Sequence, residues 1–332
     1  MNIQAKIYIF AAATLFLLVI CFGGTAIFAQ PSAENARRQS ARSDKLTGGA
    51  IEKAALLAGG GDLKITVNVP AFQLTLWQNG KEVKTYWVGV GMKEFPIYIG
   101  DRKASAVIWN PNWIPPNSDW VKGHKGVKVG EVILPTDPRN PIGKMKIPLG
   151  DGFLIHQAKG VGDLGSLVSH GCVRMLKPDL FDLGEKIVAA RALPVTAKQI
   201  AAAKTNLKTL QVDIDPVIPV EITYDTQVVE AGRLHIYPDV YDRQTNTVAN
   251  LRDELKSSGI DSSHIKDKEL ENILARAVAR KQFVVSVENI KAGRETSGGR
   301  ILPVVSNAAT VGAPKAKSKT SNGALRQRKV RN

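Results

Sequence analysis

FLIHQAKGVGDLGSLVSHGCVRM, residues Phe153 to Met175, holds two of the chain's five histidines, His156 and His170, and its only cysteine beyond residue 29, Cys172. A thiol is weakly nucleophilic until an imidazole takes its proton or a positive field stabilises the thiolate. A cysteine with histidines close by is therefore a candidate nucleophile and base. Gly160, Gly162 and Gly165 make the intervening segment a pliable loop, able to fold His156 back over Cys172. Around the thiol, His170-Gly171-Cys172 offers three successive backbone N–H groups, and a glycine there lets the chain approach a bound carbonyl, as an oxyanion hole requires. Arg174 is placed to fix a substrate carboxylate or to lower the thiol pKa.

Other readings stand beside this one. A small buried cysteine is commonly an inert hydrophobe. His156, His170 and Cys172 supply three zinc ligands, but a structural zinc wants four and no fourth lies nearby, so no metal is expected. Arg174 also suits a structural ion pair. The spacing favours a thiol acyl-transfer site that needs no cofactor.

Ser169-His170-Gly171-Cys172-Val173-Arg174-Met175 resembles the SHGC(I/V)R(M/L) signature of the L,D-transpeptidase family, whose catalytic domain is of the YkuD or ErfK type. That family carries its catalytic histidine in an Ile-His-Gly segment sixteen to eighteen residues before the cysteine, and Ile155-His156 fits, sixteen residues before Cys172. Asn140-Pro141-Ile142-Gly143 resembles its NPLG segment, and Trp109 to Pro116, WNPNWIPP, its NPxWxPP segment. One departure stands out: Gln157-Ala158 replaces the Gly or Ser and the Thr that follow the family's histidine. The resemblance covers residues 63 to 198, and IPVEITYD…GRLHIYPDVY extends it towards residue 243. It implies a mainly β fold, an L,D-transpeptidase-type β-sandwich with a few helices and the cysteine loop at the mouth of a cleft.

The resemblance also implies a chemistry. Cys172 would attack the third residue of a peptidoglycan tetrapeptide stem, expelling D-alanine, with His156 as base. His170, Gly171 and Ser169 would shape the oxyanion loop, and Arg174 and Trp113 would position substrate. The acceptor would be a second stem, a wall-attached lipoprotein or, for an L,D-carboxypeptidase, water. The competing reading is a wall-binding scaffold that no longer turns over, motivated by Gln157-Ala158 and the basic tail.

Lys6 followed by the uncharged apolar run Ile7 to Ala29 reads as a secretory signal peptide cut after Ala26 or Ala29, or as an uncleaved anchor. Either sends the chain across the inner membrane, to the periplasm or cell-wall space. If the segment is cleaved, one cysteine remains and no internal disulfide forms. Residues 30–62 are polar, rich in Ala, Ser and Arg, and close on three glycines, a linker. From Leu63 a period-two pattern signals strands. Asn79-Gly80 between Phe72–Trp77 and Val83–Val90 signals a hairpin. All five tryptophans fall between Trp77 and Trp120, in a Pro-rich region that serves either the core or a cleft wall.

Beyond the motif, Leu176–Ala192 and Lys198–Leu210 read as helices, then Ile218–Tyr224 and Arg233–Tyr237 as strands completing a catalytic domain over 63–245. His235 reads as structural. Asn250–Lys281 reads as helical, with Leu270, Ile273, Leu274, Ala277 and Val278 on one face, inside a mainly helical extension over 246–295. Residues 296–332 carry eight Lys or Arg and no Asp or Glu, a disordered basic tail that supplies about half of the +15 net charge. With a secretion signal and no aromatic-studded basic surface, that tail suits wall polymers, anionic lipid or plain solvation rather than nucleic acid.

Overall fold

The computed structural model describes residues 62–123 and 126–306. The signal or anchor at 1–29, nearly all of the linker, and residues 307–332 of the tail lie outside the described residues. Among the described residues, no helix is long and apolar enough to cross a membrane.

The period-two segments become strands β1 (Leu63–Asn68), β2 (Gln73–Gln78) and β3 (Lys81–Trp87). Asn79 and Gly80 turn the β2–β3 hairpin with φ of 52° and 71°. This is the positive-φ pair that a two-residue hairpin loop requires and that Asn-Gly supplies with little strain. After the short β4 (Val90–Gly91) come β5 (Gly100–Trp109), a one-turn helix α1 (Asp119–Lys122), β6 (Met145–Pro148), β7 (Leu154–Gln157), β8 (Leu167–Ser169) and β9 (Val173–Met175). Two helices follow, α2 (Lys177–Ala190) and α3 (Ala197–Thr205), and then the long β10 (Leu210–Thr223). α2 starts with Pro178 in its first turn and Asp179 near its positive end. α3 opens on a capping box between Thr196 and Gln199.

These strands build one eight-stranded sheet in the order β3-β2-β1-β10-β5-β6-β7-β9, while β4 and β8 pair separately. The mainly β expectation holds. Within the eight-stranded sheet β1–β10 and β7–β9 are parallel and the other pairs antiparallel, and the separate β4–β8 pair is parallel. The core takes Ile65, Val67, Leu74, Val107, Ile147, Ile155, Val173 and Met175 from the sheet and Leu180, Leu183 and Ile187 from α2.

The C-terminal third departs from expectation. Residues 250–281 are not one helix: α4 (Val248–Ser257) and α5 (Asp267–Leu274) are separate, and Lys281–Ser286 is strand β13. Gly259 ends α4 at φ 72°. Its N–H reaches Lys256 O, and Ile260 N–H reaches Leu255 O at 2.8 Å. That is a Schellman stop, with buried Ile260 set beside buried Leu255. The hairpin of β11 (Gln227–Glu230) and β12 (Arg233–Ile236) pairs onward with β13 and β14 (Arg300–Pro303). So the extension is α+β rather than mainly helical, and residues 296–306, read as disordered tail, include a strand. Leu234, Ile236, Leu251, Leu270, Phe283 and, from α6 (Val287–Lys291), Ile290 form its own core.

Asn110, at the end of β5, is fully buried with φ 47°. Its side-chain amide donates to Ala203 O and Lys208 O, and its Oδ1 accepts from Lys144 Nζ. Asn110→Ala leaves two buried carbonyls and an ammonium short of partners, so the urea midpoint should fall by the equivalent of about 2–3 kcal/mol.

Candidate active site

Two short parallel strands assemble the site. β7 pairs with β9 so that His156 stands opposite Arg174, and Cys172 immediately precedes β9. On the other side of β7, Lys146 of β6 stands opposite His156. Side chains alternate along a strand, and Ile147, Ile155 and Val173 face the core. Lys146, His156 and Arg174 therefore rise together from the opposite face, in one row.

His156 is 4% exposed, and its Nδ1 has no hydrogen-bond partner. Burial first, then the Arg174 charge, pushes its pKa down to about 4, against the backbone of Ile142 and Gln157 and the Asp163 carboxylate. The ring is neutral at pH 7. Burial pushes the half-buried Cys172 thiol up, while a backbone hydrogen bond at Leu154 and the Arg174 charge pull it down. Desolvation wins at both groups, so the resting pair is neutral thiol and neutral imidazole.

The cysteine loop is clamped from three sides. Ser169 Oγ donates to Cys172 O at 2.6 Å, and Ser169 O accepts from Met92 N–H at 2.8 Å. Gly171 holds φ 102°, and a Cβ there would meet the Phe153 ring at 2.7 Å. A Cβ on Gly91 would lie 3.0 Å from Gly171 Cα, so the two backbones touch. His170 is exposed and lies between Phe95 (ring centroids 4.7 Å apart) and Trp120 (4.1 Å, nearly parallel). Burial, then Arg174, lowers its pKa too. Trp113 stacks behind Trp120 at 6.3 Å and packs with Ile133 and Ile142. The ring in contact with the motif is thus Trp120, with Trp113 one layer back.

Arg174 pairs with Asp163 at 3.2 Å, both nearly buried, and its backbone bridges to Gly89. Lys159 N–H also donates to that carboxylate. The structural ion pair is therefore present, and the guanidinium still acts on His156, His170 and Cys172 as a fixed positive charge. Lys146 donates to Asn112 O at 3.0 Å, and burial depresses its pKa. Among the described residues it has no carboxylate within ion-pair reach. Asn140 anchors the Trp-rich loop by donating to Pro111 O and Ile133 O. Gln157 Oε1 accepts the Lys144 N–H at 2.9 Å, and its side chain lies against Gly143. Among the described residues no three His, Cys, Asp or Glu side chains gather as metal ligands. His235 sits in the C-terminal sheet, bonded to Gln282.

Sequence reasoning missed Lys146, Asp163, Phe95 and Trp120. Only Lys146 carried a usable signal, a charge between two apolar residues of a strand that ends beside a histidine strand. The ring stack joins three distant segments and has no periodic signature.

Gly171→Ala meets both positive φ and the Phe153 ring. It should lower the melting temperature by the equivalent of about 1–3 kcal/mol and slow labelling of Cys172 by acylating probes; calorimetry and intact mass read the two effects.

Residues 62–201 match the family model described as the L,D-transpeptidase catalytic domain, YkuD. The probable L,D-transpeptidase YbiS of Escherichia coli K12 is 27% identical over 122 residues, covering 33% of this chain and 40% of that protein. The probable L,D-transpeptidase ErfK/SrfK of the same organism is 28% identical over 122 residues, covering 35% and 38%. The chain thus spans about two-fifths of the length of the curated relatives it matches. An L,D-transpeptidase from Mycobacterium smegmatis aligns at 14% identity and a TM-score of 0.30, over 49% of this chain and 59% of that one. Residues 62–201 are thus similar to an L,D-transpeptidase catalytic domain of the YkuD type.

Proposed function

We propose that this chain is a cysteine L,D-transpeptidase acting on peptidoglycan tetrapeptide stems outside the inner membrane. The observation that carries the reading is the juxtaposition of a buried, neutral His156 with the strand that begins directly after Cys172. Attack of Sγ on the carbonyl of the third stem residue forms a C–S bond while His156 takes the thiol proton. The tetrahedral oxyanion is held by backbone N–H groups around His170, Gly171 and Cys172, each worth about 3 kcal/mol. Collapse breaks the C–N bond, and the proton passes from His156 to the departing D-alanine amine. An acceptor amine then attacks the thioester, loses its proton to His156 and releases the thiol, leaving a 3→3 cross-link or a protein–wall bond.

A neutral resting pair suits this scheme, because the base must be free to take a proton at the moment of attack. Arg174 has two parts here: it anchors the loop through Asp163, and its charge favours a developing thiolate. Trp113, Trp120 and His170 form the aromatic wall along which a stem lies. Gln157 bonds away from the imidazole, towards Lys144, which weighs against the non-catalytic scaffold. The basic residues of the tail suit anionic wall or lipid surfaces and leave nucleic acid without a role.

Incubation with tetrapeptide muropeptides and mass spectrometry tests the reading. Cross-linked dimers should form with the native chain and vanish with Cys172→Ala and His156→Ala. Tripeptide alone would assign an L,D-carboxypeptidase, and no Cys172-dependent product would overturn the proposal. The pH profile offers a second check. His156 is a base only while unprotonated, and its folded pKa is near 4, below the usual histidine value of about 6.5. Activity should therefore persist as pH falls through 6 and drop only near pH 4, read from initial rates across buffers. A limb at 6.5 would contradict a buried base.

A further inference from the structure

Tyr241 lies beyond the matched catalytic segment, yet its hydroxyl is bonded inside the site region. It accepts from Ile97 N–H at 3.3 Å and donates to Gly91 O at 2.9 Å. Those residues are the two stems of one loop, 91–97, closed by Phe95 N–H to Met92 O. The loop lies along the cysteine segment at three points. Met92 N–H bonds Ser169 O, Gly91 meets Gly171 backbone to backbone, and Phe95 leans on His170. One hydroxyl thus joins both ends of the strap behind Ser169–Gly171.

The tyrosine is itself held firmly. Its ring stacks on Tyr224 at 5.6 Å, and its N–H donates to Tyr224 Oη at 2.6 Å. Tyr224 donates in turn to Asp239, which also accepts from Arg243 N–H and Thr245 N–H. The Arg243 guanidinium lies over the Tyr224 ring at 4.9 Å. Lys93, on the strap, forms an ion pair with Asp242, next to Tyr241. Burial pushes the Tyr241 hydroxyl up to about 12, so it stays protonated and keeps its donor.

We propose that Tyr241 is a positioning residue for the Cys172 site: it clamps the 91–97 strap and so holds the His170–Cys172 backbone N–H groups where a tetrahedral oxyanion needs them. The inference rests on the acyl-transfer reading and assigns part of the site's geometry to a residue beyond the 62–201 segment that matches the family model.

The test compares two reagents on the full chain. A carbapenem acylates the thiol through an oxyanion, whereas iodoacetamide alkylates it by displacement and forms none. Tyr241→Phe removes the hydroxyl and keeps the ring stack. It should slow carbapenem acylation of Cys172 by about tenfold, the loss of one or two hydrogen bonds, and change iodoacetamide alkylation less than twofold. Lys93→Gln cuts the exposed ion pair on the same strap and should show the same selective loss, smaller in size. A structural role alone would leave the ratio of the two rates untouched. If both variants match the native ratio, or both reagents slow in parallel, the inference is overturned. If the native chain takes neither reagent at Cys172, it is the acyl-transfer reading that fails.

Discussion

The parallel pairing of β7 with β9 is the constraint on which the site depends. Parallel neighbours need a long crossover, and here residues 158–172 make it as largely irregular chain with a single 3-10 turn (Val161–Asp163) and one short strand, β8, instead of an α-helix. That loop must stay in place without an α-helix to stiffen it. Asp163 and Arg174 tie its middle to β9, and Ser169 closes its end onto Cys172. Register is set from the other face. Ile155 and Val173 are fully buried opposite each other, and a slip of one residue would turn them to the site and His156 into the core. Apolar burial on one face thus sets the chemistry on the other.

Electrostatics follow from that burial. Desolvation acts on thiol and imidazole in the same sense, disfavouring the charged form of each. Arg174 favours a thiolate and disfavours an imidazolium, so it does not stabilise the ion pair as a unit. A preformed thiolate–imidazolium pair is therefore the weaker state, which in the proposed acyl transfer leaves the thiol to lose its proton as the new bond forms. The Asp163 carboxylate limits the field of Arg174 to what the loop tolerates. Without it, a nearly buried guanidinium would be uncompensated.

Much of this was legible in the chain. The alternation from Leu63 and the Asn79-Gly80 turn are local signals with local causes, and the structure repeats them. The spacing from His156 to Cys172 pointed to a loop that returns, which is what the parallel pair makes. Reading failed where long-range pairing overrode local pattern. Lys281–Ser286 follows an apparent helical face but is captured as strand β13 by β12, whose Arg233 to Ile236 pair residue for residue with Ser286 to Phe283. Arg300–Pro303 is exposed throughout and owes its strand to that same neighbour, β13. Gly259 was visible and marks the break between α4 and α5; the apolar spacing on either side masked it. The motif points to Trp113 as the substrate-facing ring, but a motif does not say which ring meets His170, and that ring is Trp120.

Gln157 shows how a departure from a family pattern is absorbed. A residue in this place follows His156 directly, where a large polar side chain could crowd the imidazole. Alternation sends it to the other face of β7 from His156. There it finds Gly143, where a Cβ would come within 2.7 Å of its own Cβ, and the Lys144 N–H, which it accepts. The glycine of Asn140-Pro141-Ile142-Gly143 is thus needed twice, for its φ of 78° and for the space it yields to Gln157. Ile142, one residue earlier, presents the carbonyl that accepts Gln157 N–H and acts on His156. Gln157 therefore fastens the 142–144 turn to the strand that carries His156.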